Sequence, residues 1–137
     1  MNAKTQIMFN LSRMYEYVTD IDKLKQLNTQ SPNERLAYKH SLNMCILQIG
    51  EYTNRINNIQ EKDNLNIVDE TYLPIKNIKG LRNRIAHSYD QLQLDIINQI
   101  VQEDIPQLKK YIEMTVNVKI LQDPFQLYEK EYDDLLK

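Results

Sequence analysis

An arginine, an asparagine and a histidine in one short segment have the types and the spacing to act on a phosphodiester. The segment is PIKNIKGLRNRIAHSYD, residues 74–90, and the three residues are Arg82, Asn83 and His87. A histidine titrates near neutral pH and can move a proton, and a guanidinium can stabilise the charge that develops on phosphorus. In RNA the adjacent 2′-hydroxyl supplies the nucleophile, so such a site needs no metal or other cofactor.

The same segment concentrates positive charge. Lys76, Lys79 and Arg84 join Arg82 in an otherwise slightly acidic chain of formal net charge −2. That balance excludes a broadly basic protein that coats nucleic acid, so binding to a polyanion depends on a local cluster. We therefore expect Lys76, Lys79 and Arg84 to be the RNA-binding candidates.

Helical periodicity places these polar residues on one element. At 100° per residue the apolar positions of the segment fall in a single stripe that would face the core; they are Ile75, Ile78, Leu81 and Ile85. Asn83 and His87 are four residues apart and share a face roughly opposite that stripe. Gly80 falls on the same outer face, where it would permit the close approach of another helix or of a phosphate backbone.

The spacing alone is not specific. A second Arg-x4-His pair, Arg35 and His40, occurs in RLAYKH, and there we expect an ordinary surface or packing histidine. For residues 82–87 taken by themselves, a solvated helix face remains the competing interpretation.

Two long helices are predicted to precede this segment. The first covers about residues 4–27, with apolar residues at steps of three and four. After the polar break at 28–30, Ser31 is a predicted N-cap, Pro32 fits the first turn and Glu34 completes a capping box. The second helix then runs to about residue 61, and the polar, non-periodic stretch 61–71 is a predicted loop.

Further helices are predicted on both sides of residue 90. The third begins near Pro74, and a fourth begins near Leu92 and extends through Val116. Pro106 should kink or restart that fourth helix, with Asp104 as its cap. A last short helix is expected from Asp123-Pro124 onward. Residues 117–137 are expected to form a C-terminal capping helix, and the alternative is a solvated tail.

The composition sets the fold class. The 137 residues are enough for one domain, 1–137, and the two glycines and four prolines are too few for a strand-rich protein. We expect an all-α, antiparallel bundle of four to five helices. No run is apolar enough to cross a bilayer and no secretory signal opens the chain, so a cytoplasmic protein is expected. The single cysteine, Cys45, fits a reducing compartment, where we expect a buried structural thiol rather than a nucleophile.

Residues 80–89, GLRNRIAHSY, closely resemble the motif of HepT-like proteins, a branch of the HEPN superfamily. Arg82, Asn83, His87 and Tyr89 fill its arginine, polar, histidine and tyrosine positions. The stretches LNMCILQIGEYTNRI (42–56) and LDIINQIVQEDIPQLKKYIE (94–113) resemble the helices on either side, so the likeness covers about residues 5–115. Ser88 and Asp90 stand where the family usually has a glycine and an aromatic residue.

The resemblance implies a homodimer in which the motifs of both subunits line one cleft. It implies metal-independent cleavage of RNA by a toxin of a type VII HEPN/MNT toxin–antitoxin system, with Arg82 and His87 catalytic and Asn83 supporting them. It also implies an MntA-like nucleotidyltransferase antitoxin, which inactivates the toxin by transferring AMP from ATP onto Tyr89. Neither a membrane nor DNA is expected as a partner.

Two further interpretations stay open from the sequence. The chain is alternatively a non-catalytic helical subunit that binds a nucleotidyltransferase, an interpretation to which the negative charge of Asp90 contributes. The other interpretation is a purely structural four-helix protein.

Overall fold

The computed structural model describes residues 2–27, 31–73 and 91–128, and in the last range the side chains from residue 95 onward. Helices of several kinds make up most of these residues, and none of them is in a β-strand. The all-α prediction is confirmed. No helix in the described ranges is both long and apolar enough to span a bilayer.

Helix α1, Ala3–Lys25, matches the first predicted helix closely. Asn2 caps it, because the Asn2 Oδ1 accepts a hydrogen bond from the Thr5 amide at 2.8 Å. The apolar positions that recur along the helix are fully buried, and they include Ile7, Leu11, Met14, Val18 and Ile21. This stripe is one wall of the core.

Helix α2, Pro32–Lys62, begins where the sequence signals predicted. The Ser31 Oγ accepts a hydrogen bond from the Glu34 amide at 3.1 Å, and Pro32 occupies the first turn. The predicted seam of α2 is buried: Leu42, Ile46, Ile49, Thr53 and Ile56. Its N-terminal half is largely exposed, whereas the half after Leu42 packs on α1.

Helices α1 and α2 are antiparallel. The Arg13 Nε donates to the Tyr52 hydroxyl at 3.4 Å, near the middle of both helices. At one end of the pair, Ala3 of α1 and Lys62 of α2 line the same cavity. The start of α1 therefore lies beside the end of α2, and the two chains run in opposite directions. This is the arrangement expected of neighbouring helices that are joined by a short connection.

The helix after residue 90 is continuous but changes its winding. Helix α3, Gln91–Gln99, leads into a π-helical turn at Ile100–Asp104 and then into α4, Ile105–Thr115. The Ile105 amide donates to the Ile100 carbonyl, five residues back, just before Pro106. A wider turn at this point suits a proline, whose ring clashes with a regular α-helical turn before it.

Asp104 was expected to cap a restarted helix, and this expectation is wrong. Its backbone is already helical, with φ −72° and ψ −45°, and its side chain makes no capping hydrogen bond. An N-cap residue needs an extended backbone to turn its side chain toward the amides that follow. The π turn accommodates the proline without a new helix start.

Helix α4 packs antiparallel to α1, on a different side from α2. Lys109 Nζ lies 2.7 Å from Asp22 Oδ2, and Lys25 Nζ donates to the Val101 carbonyl at 3.0 Å. Four side chains of the π-helical turn and α4 are fully buried between the helices: Ile100, Ile105, Leu108 and Ile112. Helix α1 is thus the element that joins α2 to the C-terminal helices.

The chain beyond residue 116 differs in detail from the prediction. A short helix α5, Val118–Gln122, precedes a 3₁₀ turn at Pro124–Tyr128, whereas one helix was expected to start at Asp123-Pro124. The 3₁₀ turn packs on α1, with the Phe9 ring 5.7 Å from Phe125 and 5.2 Å from Tyr128. Residues 129–137 lie outside the described part, so the C-terminal capping helix is tested only as far as Tyr128.

Candidate functional site

The residues predicted to do chemistry lie in segment 74–90, which is outside the described residues. They are Arg82, Asn83 and His87 as catalytic residues, Tyr89 as the modified residue, and Lys76, Lys79 and Arg84 as RNA-binding candidates. Their mutual arrangement stays a prediction. The structure does describe how the chain enters this segment at residue 73 and leaves it at residue 91.

Helix α2 ends with a reversal that directs the chain back along the bundle. Asn64 adopts the left-handed backbone region, with φ 51°, and asparagine tolerates that region better than most residues. The Leu65 amide donates to the Gln60 carbonyl at 2.8 Å, and the Asn64 amide donates to Glu61 at 3.4 Å. This pair of bonds is a Schellman motif, which satisfies carbonyls left free at the helix end.

The side chain of Gln60 holds the chain that follows. Its Oε1 accepts hydrogen bonds from the Ile67 amide at 3.0 Å and the Val68 amide at 2.6 Å. Its Nε2 donates to the Val68 carbonyl at 3.2 Å and to a Glu70 carboxylate oxygen at 3.5 Å. Gln60 is itself buried, so these backbone groups are satisfied away from water.

Tyr111 of α4 supports the same loop from the other side. Its hydroxyl accepts a hydrogen bond from the Asp69 amide at 2.8 Å. Its ring stacks on Tyr72 with centroids 4.5 Å apart and only 4° between the ring planes. The loop is therefore attached both to α2 and to α4.

A short 3₁₀ turn, Glu70–Tyr72, completes the entry to the segment. The Asp69 Oδ1 accepts hydrogen bonds from the amide and the hydroxyl of Thr71, at 3.0 and 2.8 Å, and these bonds lower the pKa of Asp69. Leu73, the last described residue before the segment, is buried in the core. Segment 74–90 is thus joined at its N-terminal side to a fixed point of the bundle.

The segment is also joined to the core at its other side. Helix α3 begins at Gln91, directly after residue 90, and its Ile97 is buried. Both flanks of segment 74–90 therefore belong to the same hydrophobic core.

Two other residues with reactive side chains are ordinary in their surroundings. His40, of the second Arg-x4-His pair, is an exposed residue of α2, as expected of a surface histidine. Cys45 is buried, and burial raises the pKa of its thiol, so the inert structural thiol expected from the sequence is supported. In the described ranges no three His, Cys, Asp or Glu side chains are grouped so that they could hold a metal ion.

Sequence reasoning missed the roles of Gln60 and Tyr111. Stretch 61–71 was predicted to be a loop, and the bonds that order it involve side chains from two separate helices. One local signal was available, because Ile67 and Val68 form an apolar pair within a mostly polar stretch. Apolar residues in such a place often anchor a loop to the core.

The described architecture is that of a HEPN-like, all-helical bundle. The family model described as Ribonuclease HepT-like matches residues 14–115, which is most of the chain and includes all of segment 74–90. The chain belongs to this HepT-like ribonuclease family, and its enzyme class is that of the RNA endonucleases.

A curated relative agrees with this assignment. The protein named Putative RNase MJ1380, from Methanocaldococcus jannaschii, is 29% identical over 108 residues, which cover 79% of this chain and 88% of the relative. No solved structure matches the chain.

Proposed function

We propose that this chain is a metal-independent endoribonuclease toxin of a type VII HEPN/MNT toxin–antitoxin system. The observation that carries the proposal is the family match across residues 14–115, because it includes every residue of the predicted site from Arg82 to Tyr89. The name of the Methanocaldococcus relative, an RNase, supports the same substrate.

The proposed chemistry is transfer of the phosphodiester to the neighbouring 2′-oxygen. The 2′-oxygen bonds to phosphorus while the bond from phosphorus to the 5′-oxygen breaks, which leaves a 2′,3′-cyclic phosphate and a 5′-hydroxyl. His87 moves protons between these oxygens, and Arg82 stabilises the charge that develops on phosphorus. Asn83, one residue from Arg82 and four from His87, supports both groups.

The proposed active unit is a homodimer in which the two segments 74–90 line one cleft. Such a unit places two histidines and two arginines at one phosphodiester. The activity per mole of protein should then fall when the protein is diluted below the dissociation constant of the dimer. A specific activity that does not change over such a dilution would assign cleavage to the monomer.

The proposed partner is an MntA-like nucleotidyltransferase that transfers AMP from ATP onto Tyr89. Tyr89 is two residues from His87, so each added phosphate would bring negative charge and bulk to the place where RNA must bind. The test is the intact mass of the protein after incubation with the partner and ATP. The mass should rise by multiples of AMP, and Tyr89→Phe should abolish the rise; a rise that persists in Tyr89→Phe would assign modification to another residue.

The experiment that tests the activity is RNA cleavage in the presence of a chelator. Wild-type protein with EDTA should degrade single-stranded RNA and leave 2′,3′-cyclic phosphate ends, whereas Arg82→Ala should not. Co-purification with a nucleotidyltransferase but no RNA turnover at high protein concentration would identify a binding subunit instead.

A further inference from the structure

A groove of about 550 Å³ lies between α1 and α2 at the end of the bundle where Tyr128 packs. Its lining includes Phe9 of α1, Arg55 and Asn58 of α2, and Tyr128. None of the described residues that line it is acidic, although the chain as a whole has a formal charge of −2. The described lining of the groove therefore carries one cation, Arg55, and no carboxylate.

Arg55 gives this groove a cation. Its guanidinium carbon lies 5.0 Å from the centroid of the Tyr52 ring, a cation–π contact. An arginine that lies against an aromatic ring and whose guanidinium is exposed is suited to bind a phosphate.

Tyr128 gives the groove an exposed aromatic face. The side chain is 64% exposed and its neighbour Phe125 is 56% exposed, which is unusual for two adjacent large rings. The ring of Phe9 supports both, with centroids 5.2 Å from Tyr128 and 5.7 Å from Phe125. Tyr128 is thus a supported ring whose surface remains largely open to solvent.

Asn58 adds a polar group that can recognise a base edge. It lies one turn after Arg55 on the same face of α2, is exposed, and has no hydrogen-bond partner in the described part of the chain. It also lines a second cavity of about 340 Å³, together with Lys62. The groove therefore continues along α2 to a cavity lined by one cation, Lys62, about 10 Å beyond Arg55, and by one carboxylate, Asp63.

We propose that this groove binds a nucleotide of single-stranded RNA, outside the site of cleavage. The base stacks on Tyr128, its edge is hydrogen-bonded by Asn58, and a phosphate is bound by Arg55. Because the groove continues toward Lys62, the next nucleotide of the strand has a surface to follow. A single strand therefore fits the groove better than a free mononucleotide. The inference rests on the proposed function, because it assigns further contacts to the same RNA substrate.

Binding measured by fluorescence anisotropy tests this subsite. The probes are a 5′-labelled 12-nucleotide oligouridine and a 12-base-pair RNA duplex, and all variants carry His87→Ala so that the RNA stays intact. Tyr128→Ala should weaken binding of the single strand by roughly 5- to 150-fold, the loss expected for one stacked base, and Tyr128→Phe should preserve it. Binding of the duplex should change less than twofold, since its bases are not available for stacking.

Arg55→Gln tests the phosphate contact separately. It should weaken binding of the single strand and reduce the slope of log affinity against log salt by about 0.7, the value for one phosphate contact. Two exposed residues of α4 offer matched controls, because Met114→Ala removes an apolar side chain that is 86% exposed and Lys110→Gln removes an exposed cation. Both controls should bind within twofold of the parent protein.

The possible outcomes separate this inference from the proposed function. Wild-type protein that cleaves RNA, combined with unchanged binding in Tyr128→Ala and Arg55→Gln, overturns the subsite and leaves the ribonuclease intact. Equal losses in the control variants also overturn it. Wild-type protein that binds RNA through Tyr128 but never cleaves it would retain the subsite and refute the nuclease. If only free uridine monophosphate competed and longer strands bound no better, the groove would be a mononucleotide site and the inference would be wrong.

Discussion

The side-chain oxygen of Gln60 accepts a hydrogen bond from the Val68 amide, with 2.6 Å between the Val68 nitrogen and Oε1. This bond attaches the loop before segment 74–90 to the end of helix α2. Both residues are buried, and Val68 is completely so. The bond therefore satisfies a backbone donor that water does not reach. It is the central contact of the loop that leads to the predicted catalytic residues.

Gln60→Ala should lower the free energy of unfolding by about 1–3 kcal/mol, because it leaves the buried Val68 amide without its acceptor. Urea denaturation measures this loss. Gln107→Ala is the matched control, since Gln107 is an exposed glutamine within α4 and its loss should cost less than about 0.5 kcal/mol. Equal stability of the two variants would show that the loop does not depend on Gln60.

Gln60→Ala should also reduce the catalytic rate beyond what its stability explains. The variant shifts the point at which the chain enters segment 74–90, and small shifts of catalytic groups are costly, so kcat should fall by about tenfold or more. Ile49→Val is a control that destabilises the core by about 0.5–1.5 kcal/mol, which overlaps the lower part of the range expected for Gln60→Ala, at a position distant in sequence from the loop. If kcat falls equally in both folded variants, the effect is one of general stability.

Tyr111 contributes through both its hydroxyl and its ring, and two substitutions separate them. Tyr111→Phe removes the acceptor for the Asp69 amide but keeps the stacked pair with Tyr72, so it should cost about 0.5–1.5 kcal/mol. Tyr111→Leu removes both contacts and should cost about 0.5–1.5 kcal/mol more. Equal thermal denaturation midpoints for the two variants would show that the stacking adds nothing.

The ion pair between Lys109 and Asp22 should make the free energy of unfolding depend on pH in the alkaline range. The hydrogen bond from Lys109 to Asp22 raises the pKa of Lys109 above the ordinary value of 10.5. A raised pKa means that the folded state holds the proton more tightly, so the stabilisation is complete below pH 10.5 and is lost as the pH rises through the raised value. Because both side chains are about one-third exposed, the pair should contribute only about 0.2–1 kcal/mol.

Lys109→Met compared with Lys110→Met measures that contribution. Lys110 is the neighbouring exposed lysine, so the difference in unfolding free energy between the variants reports the ion pair. The difference should be present at pH 7 and should shrink toward zero above the raised pKa of Lys109. If the difference in unfolding free energy stays constant through that pH range, it arises from packing of the aliphatic part of the Lys109 side chain and not from the ion pair.

Cys45 should react slowly in the folded protein. Burial raises the pKa of its thiol and restricts access, while the thiolate is the reactive form. Modification by a thiol reagent at pH 8 should be at least about tenfold slower in the native state than in denaturant, since it requires local opening. Equal rates in the two states would place the thiol at the surface.

The first two helices could be predicted well because their information is local and periodic. The first prediction, 4–27, compares with Ala3–Lys25, and the second, ending near residue 61, compares with Pro32–Lys62. An apolar residue every three or four positions fixes which face is buried. The Ser31-Pro32 pair fixes where the second helix begins, because both residues favour a helix start.

The remaining features depend on contacts or windings that no local pattern encodes. The loop after Lys62 is ordered by Gln60 and by Tyr111, and these residues are far apart in sequence. The π turn before Pro106 replaces the predicted cap at Asp104, since widening the helix is another way to accommodate a proline. The groove beside Tyr128 was not predicted, because three separate elements line it.

The candidate site itself was predicted from segment 74–90 and from its resemblance to a family motif. Family membership is now established, whereas the roles of Arg82, Asn83, His87 and Tyr89 remain predictions. The structure adds what the sequence could not, namely the two anchored flanks at Leu73 and at helix α3.

The rate of RNA cleavage in EDTA by His87→Ala, compared with His40→Ala, tests the central claim most directly. The chain contains only these two histidines, and His40 lies exposed on α2, so each variant is the control for the other. Loss of a general acid–base group should slow cleavage by His87→Ala by about 10²- to 10⁴-fold, while His40→Ala keeps the wild-type rate. Cleavage by His87→Ala at the wild-type rate would contradict the account.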